Sequence, residues 1–319
     1  MEPVVQQYNN HMVMTNVMKP TKTKYINVDT KFREEDNYQS VSQHVDNVAY
    51  KPLASCTISL PERVNDVKSI LARTAEIPMT MYNVSQYLNN NAFKVEYVIG
   101  SAISATKTFV VPDGYYNAFT LATAISALLN PYATPEDVPE SYPFTSLTFS
   151  WNGDTRGHFT SSYGNFNLYF AVDASGNARP TQFKQTLGWM LGFRKSKYSI
   201  ASPNAKANAE ETALLKSTKY LYIVVDEFAK GNQTSFLAPM NRSYIRKNIL
   251  AKVILNETTF PQGSILPANM LNGYLMSDKR EYNGKIDIQK LLVQLVDENG
   301  NLVDLNGADF SLTLQVEYE

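Results

Sequence analysis

Hydrophobic and polar residues alternate with a period of two along much of this chain, a pattern typical of β-strands with one buried and one solvent-facing side. The clearest segment is 310–317, in which every even-numbered residue is apolar and every odd-numbered residue is polar or acidic. The same alternation occurs in 93–99, 147–152 and 166–172. Because one face of each strand stays polar, the pattern favours antiparallel sheets over a parallel sheet covered on both faces.

Other segments predict strands that are apolar on both faces. Central strands, or strands whose outer face is covered, are predicted for 66–77, 107–111, 220–226, 249–256 and 286–296. Asn-Gly pairs supply the positive φ angles that tight hairpin turns need. These pairs lie at 152–153, 283–284, 299–300 and 306–307. The chain is therefore expected to contain many short strands joined by turns.

Helical spacing is confined to three short segments. Asn117 is placed to cap a helix whose leucine and isoleucine side chains form one stripe, ended by the Asn-Pro pair at 130–131. A second helix is predicted near 182–191, with Gly192 as its C-terminal stop. The alanine-rich segment 204–216 predicts a third helix, on the surface.

About ten short strands with few helices predict an all-β protein. The expected architecture is an antiparallel β-sandwich, a single jelly roll with loop insertions and a few short helices. Residues 1–50 show no sustained period and are predicted to form an extended N-terminal arm, although 25–29 is compatible with a short strand. The sandwich domain is predicted over 51–319, with the proline-rich segment 130–145 as an exposed loop.

Composition narrows the functional classes. The 319 residues include 29 Lys and Arg against 30 Asp and Glu, a net charge of −1, which offers no overall attraction to nucleic acid. The single cysteine excludes an intrachain disulfide and a cysteine-cluster zinc site. The start of the sequence has no signal-peptide pattern, and no apolar run approaches the roughly 18 residues of a membrane span. A soluble protein of a reducing compartment is expected.

No set of residues predicts catalysis. Cys56 lies at the head of a predicted strand without a feature that would lower its pKa, so a buried structural thiol is favoured over a nucleophile. His158 stands alone, with His11 and His44 far away in the sequence, and a surface or packing role is favoured. No phosphate-binding glycine motif occurs. We therefore expect no enzyme activity and no catalytic, cofactor-binding or metal-binding residues.

The carboxylates form no convincing pair. Asp226 and Glu227 are neighbours at the end of a predicted strand and would point to opposite faces. Four aspartates flank strands and turns, where they commonly cap loops, and a calcium site among them is the less favoured alternative. These are Asp287, Asp297, Asp304 and Asp309.

Two other patterns have simple interpretations. Tyr115 and Tyr116 are predicted on a turn, but no Lys or Arg accompanies them, so a core or protein-contact role is favoured over a nucleic-acid platform. Glycosylation sequons begin at four asparagines, and in a chain without a secretion signal they are interpreted as chance matches. They are Asn83, Asn232, Asn241 and Asn256.

The order of several sequence blocks resembles the jelly-roll capsid proteins of nucleocytoplasmic large DNA viruses. The opening blocks are YINVDTKFREEDNY (25–38), CTISLPERVNDVKSILARTAEIPMTMYNVS (56–85) and NNNAF (89–93). The match continues with PDGYYNAFTLATAIS (112–126), LGFRKS (191–196) and ILAKVIL (249–255). It closes with DIQKLLVQLVDENGNLVDLNGADFSLTLQVEYE (287–319). The resemblance thus extends from Tyr25 to the end of the sequence.

This resemblance implies a structural subunit of an icosahedral viral capsid that acts through protein–protein contacts. Major capsid proteins of the family carry two jelly rolls, whereas this chain has strands for one, which favours a minor capsid or penton protein. The implied partners are other capsid proteins, including the major capsid protein, and further copies of the chain, five in a penton. Residues 1–50 would reach these neighbours or the inner membrane side. The implied location is the virion, with assembly in the host cytoplasm.

Two other functions remain as alternatives. Exposed loops such as 130–145 and 153–164 could bind a receptor or glycan on the virion surface, with Tyr142, Trp151 and Tyr163 as candidate contacts. A cupin-type enzyme on the same sandwich would need clustered metal ligands, and three scattered histidines disfavour it.

Overall fold

The computed structural model describes residues 20–33, 53–139, 142–201, 205–216, 218–229, 236–240, 243–245 and 248–319. Within these ranges the chain forms strands β1–β17, helices α1 and α2, and short 3-10 turns at Thr30–Phe32, Pro135–Asp137, Pro143–Ser146 and Pro180–Gln185. All strand pairs are antiparallel. None of the helices described is long and apolar enough to cross a membrane.

The largest sheet, here called the curled sheet, has eight strands in the order β1-β17-β2-β16-β10-β13-β15, with β14 also paired to β2. Its strands are β1 Lys22–Asp29, β2 Ser55–Pro78, β10 Tyr220–Asp226, β13 Ile249–Ile254, β14 Ile265–Asn269, β15 Leu275–Ser277, β16 Arg280–Val296 and β17 Ser311–Tyr318. The first and last of these strands in the sequence are therefore neighbours in the sheet.

Strand β2 is 24 residues long and lies between β17 and β16 in the curled sheet. Its first part pairs with β16, and its last part lies between β17 and β14. Asp66 has a φ of 55°, and the register with β16 shifts three times, so the ladder is bulged. Bulges increase local twist and bend a strand, which lets one sheet wrap around its own apolar face.

Residues between β2 and β10 form two smaller sheets, here called the inserted sheets. One has the order β4-β3-β7-β8 and the other β5-β6-β9. Their strands are β3 Ala92–Ile99, β4 Ala102–Val110, β5 Leu147–Trp151, β6 Gly157–Ser161, β7 Asn165–Tyr169, β8 Lys197–Ile200 and β9 Lys206–Asn208. The helices α1 Ala118–Leu129 and α2 Leu187–Met190 lie in the same part of the chain. A small hairpin, β11 Pro239–Met240 and β12 Ser243–Tyr244, follows β10.

The buried apolar side chains form two large clusters that correspond to this division. One fills the curled sheet and includes Ile70, Leu221 and Phe310. The other lies under the inserted sheets and contains a group of phenylalanines in mutual ring contact. Those in contact around Phe93 are Phe109, Phe159 and Phe170. A third, small cluster covers the outer face of β10.

The predicted fold class is confirmed: the chain is an all-β, antiparallel sandwich of jelly-roll type with few helices. The alternating strands are found where they were expected, and the even-numbered residues of 310–317 are buried. Helix α1 is also confirmed, because Asn117 and Thr120 form a reciprocal capping box at its start.

Two helix predictions are corrected. Segment 182–191 contains a 3-10 turn followed by the single-turn helix α2. Segment 204–216 is not helical where it is described, because residues 206–208 form β9 and pair with β6. Ala207 and Ala209 are buried against the phenylalanine cluster, so tertiary packing overrides the helix propensity of alanine there.

The division into an arm and a single sandwich domain stays a prediction. Within the predicted arm the structure describes only 20–33, and this range contains β1, in agreement with the short strand at 25–29. The rest of 1–50 lies outside the described residues.

Candidate functional site

The structure does not bring Cys56 and His158 together. Cys56 is a buried residue of β2 in the curled sheet, and its thiol lies 3.8 Å from the carbonyl oxygen of Thr57. His158 belongs to β6 in the inserted sheets. Cys56 and His158 therefore do not form a thiol–imidazole pair with each other.

His158 has a packing role in β6. Its Nε2 lies 2.9 Å from Oγ of Ser150 on the paired strand β5. Burial lowers the pKa of the imidazole, and the nearby positive charge of Lys206 lowers it further. Both effects favour the neutral form of the imidazole.

A buried ion pair is the most polar feature of the interior, and the sequence did not predict it. The guanidinium of Arg280 at the start of β16 donates to Oε1 of Glu227 at 2.6 Å, and both side chains are fully buried. The Tyr282 hydroxyl donates to the same Oε1 at 2.6 Å. Burial raises the pKa of Tyr282, and the negative charge of Glu227 raises it further. The guanidinium also donates to the carbonyl oxygens of Val225 and Asn248.

The strand-flanking aspartates have structural roles. Asp297 and Asp304 each accept backbone N–H groups of the turns that follow them. Asp309 accepts from Thr30 and pairs with Arg33, and Asp287 pairs with Arg63. In the part of the chain that the structure describes, no group of three or more His, Cys, Asp or Glu side chains could hold a metal ion.

Two sequons can be judged from the structure. The Asn83 side chain is buried and donates to the carbonyl oxygens of Tyr116 and Leu215. The side-chain oxygen Oδ1 of Asn256 accepts the backbone N–H groups of Thr258 and Thr259. Asn83 is therefore closed to modification, and both amides act in turns. The other two sequons, Asn232 and Asn241, lie outside the described residues.

The aromatic residues proposed for ligand contact are mostly engaged within the protein. Trp151 donates from Nε1 to the carbonyl oxygen of Ala118 at 2.7 Å. The Tyr142 ring lies under the Lys107 ammonium, at 4.6 Å from its centroid. Tyr163 is 55% exposed and remains open to solvent.

A cleft of about 530 Å³ separates the inserted sheets from the loop that joins β16 to β17. One wall is basic and the other acidic. The charged lining residues are Arg179, Lys184, Lys216 and Lys219 on one side and Asp297, Glu298 and Asp304 on the other. Tyr87 spans the cleft and donates to the carbonyl oxygen of Leu302 at 2.7 Å. The Tyr87 pKa is raised by burial first and then by the Asp297 and Asp304 charges.

Tyr115 makes a second contact between the two parts of the molecule. Its hydroxyl donates to the carboxylate of Glu257, in the loop between β13 and β14, at 3.2 Å. The turn at Tyr115 and Tyr116 therefore contacts protein, in agreement with the protein-contact interpretation.

Some of the described strands lie at the edges of their sheets. Among the described strands, β1 pairs only with β17, and β4 pairs only with β3. The hairpin between β3 and β4 exposes Ile99 and Ile103. Elsewhere on the curled sheet, Leu271 is fully exposed in the loop before β15. Unpaired backbone groups with exposed apolar side chains form a surface on which another chain can pair.

Comparisons with known proteins give one kind of match. No protein-family model matches the chain, and no curated protein does. Among solved structures, the chain is similar to the crystal structure of a selenomethionine-labelled mavirus penton protein. The identity is 12%, the TM-score is 0.44, and the alignment covers 94% of this chain and 100% of that one.

Proposed function

We propose that this chain is a structural subunit of an icosahedral viral capsid, a minor capsid or penton protein that acts through protein–protein contacts. The main support for this proposal is the position in the fold of the sequence blocks that resemble capsid proteins. The blocks 25–38, 56–85 and 287–319 are far apart in the chain, yet their strands β1, β2, β16 and β17 are hydrogen-bonded neighbours. These three blocks thus meet in one continuous sheet, while the blocks at 89–93, 112–126 and 191–196 lie in the part of the chain that forms the inserted sheets.

The edge strands of the molecule are suited to contacts with neighbouring subunits in a shell. Among the described strands, β1 and β4 are edge strands of different sheets, so one copy can offer two separate strand edges to its neighbours. In a penton, identical contacts repeated by a fivefold rotation would close into a ring. We propose other capsid proteins, including the major capsid protein, as partners, with residues 1–50 reaching them or the inner membrane side. Assembly would take place in the host cytoplasm, and the role requires neither catalysis nor a cofactor.

Cryo-electron microscopy of virions tests this function directly. We expect density for the curled sheet within the icosahedral shell, at a vertex or a facet. Virions that contain the chain but show no shell density matching this fold would overturn the proposal.

A solution experiment tests the edge contacts. The Ile99→Lys/Ile103→Lys variant places charges at the tip beside β4, where they should reduce self-association measured by light scattering. Phe119→Lys, which alters a side chain that is 79% exposed on α1, is the matched control and should leave self-association unchanged. Equal effects of the two variants would contradict a specific contact at this edge.

The glycan-binding alternative is not favoured at its predicted loops, because Trp151 and Tyr142 already have partners within the protein.

A further inference from the structure

The outer face of the four-stranded inserted sheet carries a row of cations around a tyrosine. Lys94 on β3, Tyr169 on β7 and Lys197 on β8 are direct cross-strand neighbours. The two ammonium groups lie 5.4 Å and 5.1 Å from the Tyr169 ring centroid. Since adjacent strands are separated by roughly 4.8 Å, the two lysines stand about 10 Å apart at their backbones. This row faces away from the phenylalanine cluster.

The positive charge continues into the segment before β8. Lys195 lies two residues before Lys197, and Arg194 stacks on Trp189 with its guanidinium carbon 4.0 Å from the ring centroid. Lys184 approaches the same ring at 5.7 Å. The five cations, Lys94, Lys184, Arg194, Lys195 and Lys197, are here called the basic strip.

Two carboxylates lie within the basic strip, and both already have partners. Glu96 pairs with Lys94 at 3.2 Å and accepts the Tyr169 hydroxyl. Glu210 pairs with Lys195 at 3.5 Å. The other three cations have no carboxylate within ion-pair distance among the residues that the structure describes; they are Lys184, Arg194 and Lys197. Within the strip itself positive charge is in excess, on a chain whose net charge is −1, although Lys184 also lines the cleft that contains Asp297, Glu298 and Asp304.

The next row of the same sheet face supplies hydrogen-bonding groups. Thr106, Asn167 and Ser199 occupy neighbouring strands beside Glu96. The Ser199 hydroxyl donates to the Asn167 side-chain oxygen at 2.7 Å, and the Asn167 side chain also hydrogen-bonds the Glu96 carboxylate. A surface with fixed charges beside amide and hydroxyl groups matches a ligand that carries both anionic groups and hydroxyls.

We propose that the basic strip and this polar row bind a sulfated polysaccharide. A glycan is favoured over nucleic acid because base stacking needs open aromatic faces. Here the rings of Tyr169 and Trp189 are already approached by cations. Binding at this surface does not depend on the capsid role proposed above.

The test uses a heparin oligosaccharide as the probe. Its affinity for the full chain is measured by titration calorimetry at about 0.15 M ionic strength, where interactions between distant charges are screened. The variant Lys184→Gln/Lys195→Gln/Lys197→Gln removes three exposed ammonium groups. Because three exposed charge contacts are lost together, we expect affinity to fall roughly tenfold or more. The control variant is Lys22→Gln/Lys31→Gln/Lys290→Gln. It removes three positive charges from β1, the 3-10 turn that follows it and β16, away from the basic strip, and should retain the wild-type affinity for heparin.

A second variant separates sugar recognition from charge. Asn167→Ala/Ser199→Ala should weaken heparin binding severalfold while leaving the binding of a single-stranded oligonucleotide of equal charge unchanged. Thermal unfolding of every variant checks that the sheet is intact. The proposal is overturned if wild-type protein binds no heparin, if both triple variants lose affinity equally, or if the oligonucleotide binds as tightly as heparin.

Discussion

Arg280 and Glu227 form an ion pair with both side chains removed from water, which makes each dependent on the other. Removing two charges from water is costly, and their attraction offsets that cost only while both are present. Tyr282 adds a hydrogen bond to the same carboxylate oxygen. The pair joins the start of β16 to the residue that follows β10, whereas β10 itself is paired with the other end of β16, so this contact links parts of the sheet that are not paired with each other.

The first prediction concerns this pair. Arg280→Met leaves the Glu227 charge buried without its cation and should lower the free energy of unfolding by about 3–5 kcal/mol. The double variant Arg280→Met/Glu227→Gln should regain part of that loss. Urea denaturation measures both. Lys279→Met, which breaks an exposed pair with Glu317, is the control and should cost less than about 1 kcal/mol. Equal losses for the two single variants would contradict the importance of burial.

The second prediction concerns pH. Burial holds the His158 pKa below its ordinary value of 6.5, so the unfolded chain binds a proton more readily than the folded one. Stability should therefore fall as the pH is lowered from about 7 to about 5, since the unfolded state takes up the proton. His158→Gln should show a smaller fall over that range. Ser150→Ala keeps the imidazole and should retain the wild-type slope; an identical slope in His158→Gln would refute the assignment.

Single residues also show where sequence patterns lose information. The alternation identified the buried strand faces, because a period of two follows from strand geometry alone. Glu227 could not be assigned in this way. Its partner lies 53 positions away on another strand, and only the tertiary fold brings the two together.

Among the elements, the turn after α2 depends on a glycine. Gly192 has a φ of +95°, and an added Cβ would meet the backbone carbonyl of Glu211. Its own carbonyl oxygen accepts the Glu211 N–H at 3.1 Å, so the two chain segments are already in close contact. Both the conformation and the space therefore require glycine at this position.

The third prediction separates these two requirements. Gly263→Ala is strained by a φ of +85° but meets nothing within 4 Å, and should cost about 1–2 kcal/mol. Gly192→Ala carries the same strain plus the backbone collision, so its loss of unfolding free energy should be at least twice as large. Thermal or urea unfolding of the two variants tests this. A smaller loss for Gly192→Ala would show that the Glu211 segment moves freely.

Helix α1 was predictable from sequence because its cap, its apolar stripe and its proline stop all lie within a few residues of one another. Segment 204–216 has high helix propensity but no such signals, and pairing with β6 decides its structure. The basic strip was not predictable for a similar reason. Its lysines come from separate strands and become neighbours only through the β3–β7–β8 register.

At the scale of the whole molecule, most buried apolar side chains belong to two separate large clusters, and each cluster stabilises its own part of the chain. Residues 84–209 contribute the members of one cluster, and the curled sheet contributes the other. The side-chain bridges from Tyr87 and Tyr115 across this boundary are hydrogen bonds, which contribute about 1 kcal/mol each. We therefore expect the two parts to lose structure separately when only one is damaged.

The fourth prediction tests that independence by hydrogen exchange. Phe93→Ala should cost about 3–5 kcal/mol and increase exchange in the inserted sheets, with β2 and β17 still protected. Phe310→Ala should instead increase exchange in the curled sheet and leave the inserted sheets protected, because Phe310 belongs to the cluster of the curled sheet. Equal increases throughout the chain in both variants would instead indicate one cooperative unit.

The pairing of β1 with β17 bears on how the chain emerges from the ribosome. Asn27 and Thr313 are opposite one another although they are 286 positions apart in sequence. A nascent chain cannot complete this ladder until β17 has been synthesised, and contacts so distant in sequence form slowly. The curled sheet can therefore close only after β17 has been synthesised, and until then the backbone of β1 lacks its β17 partner.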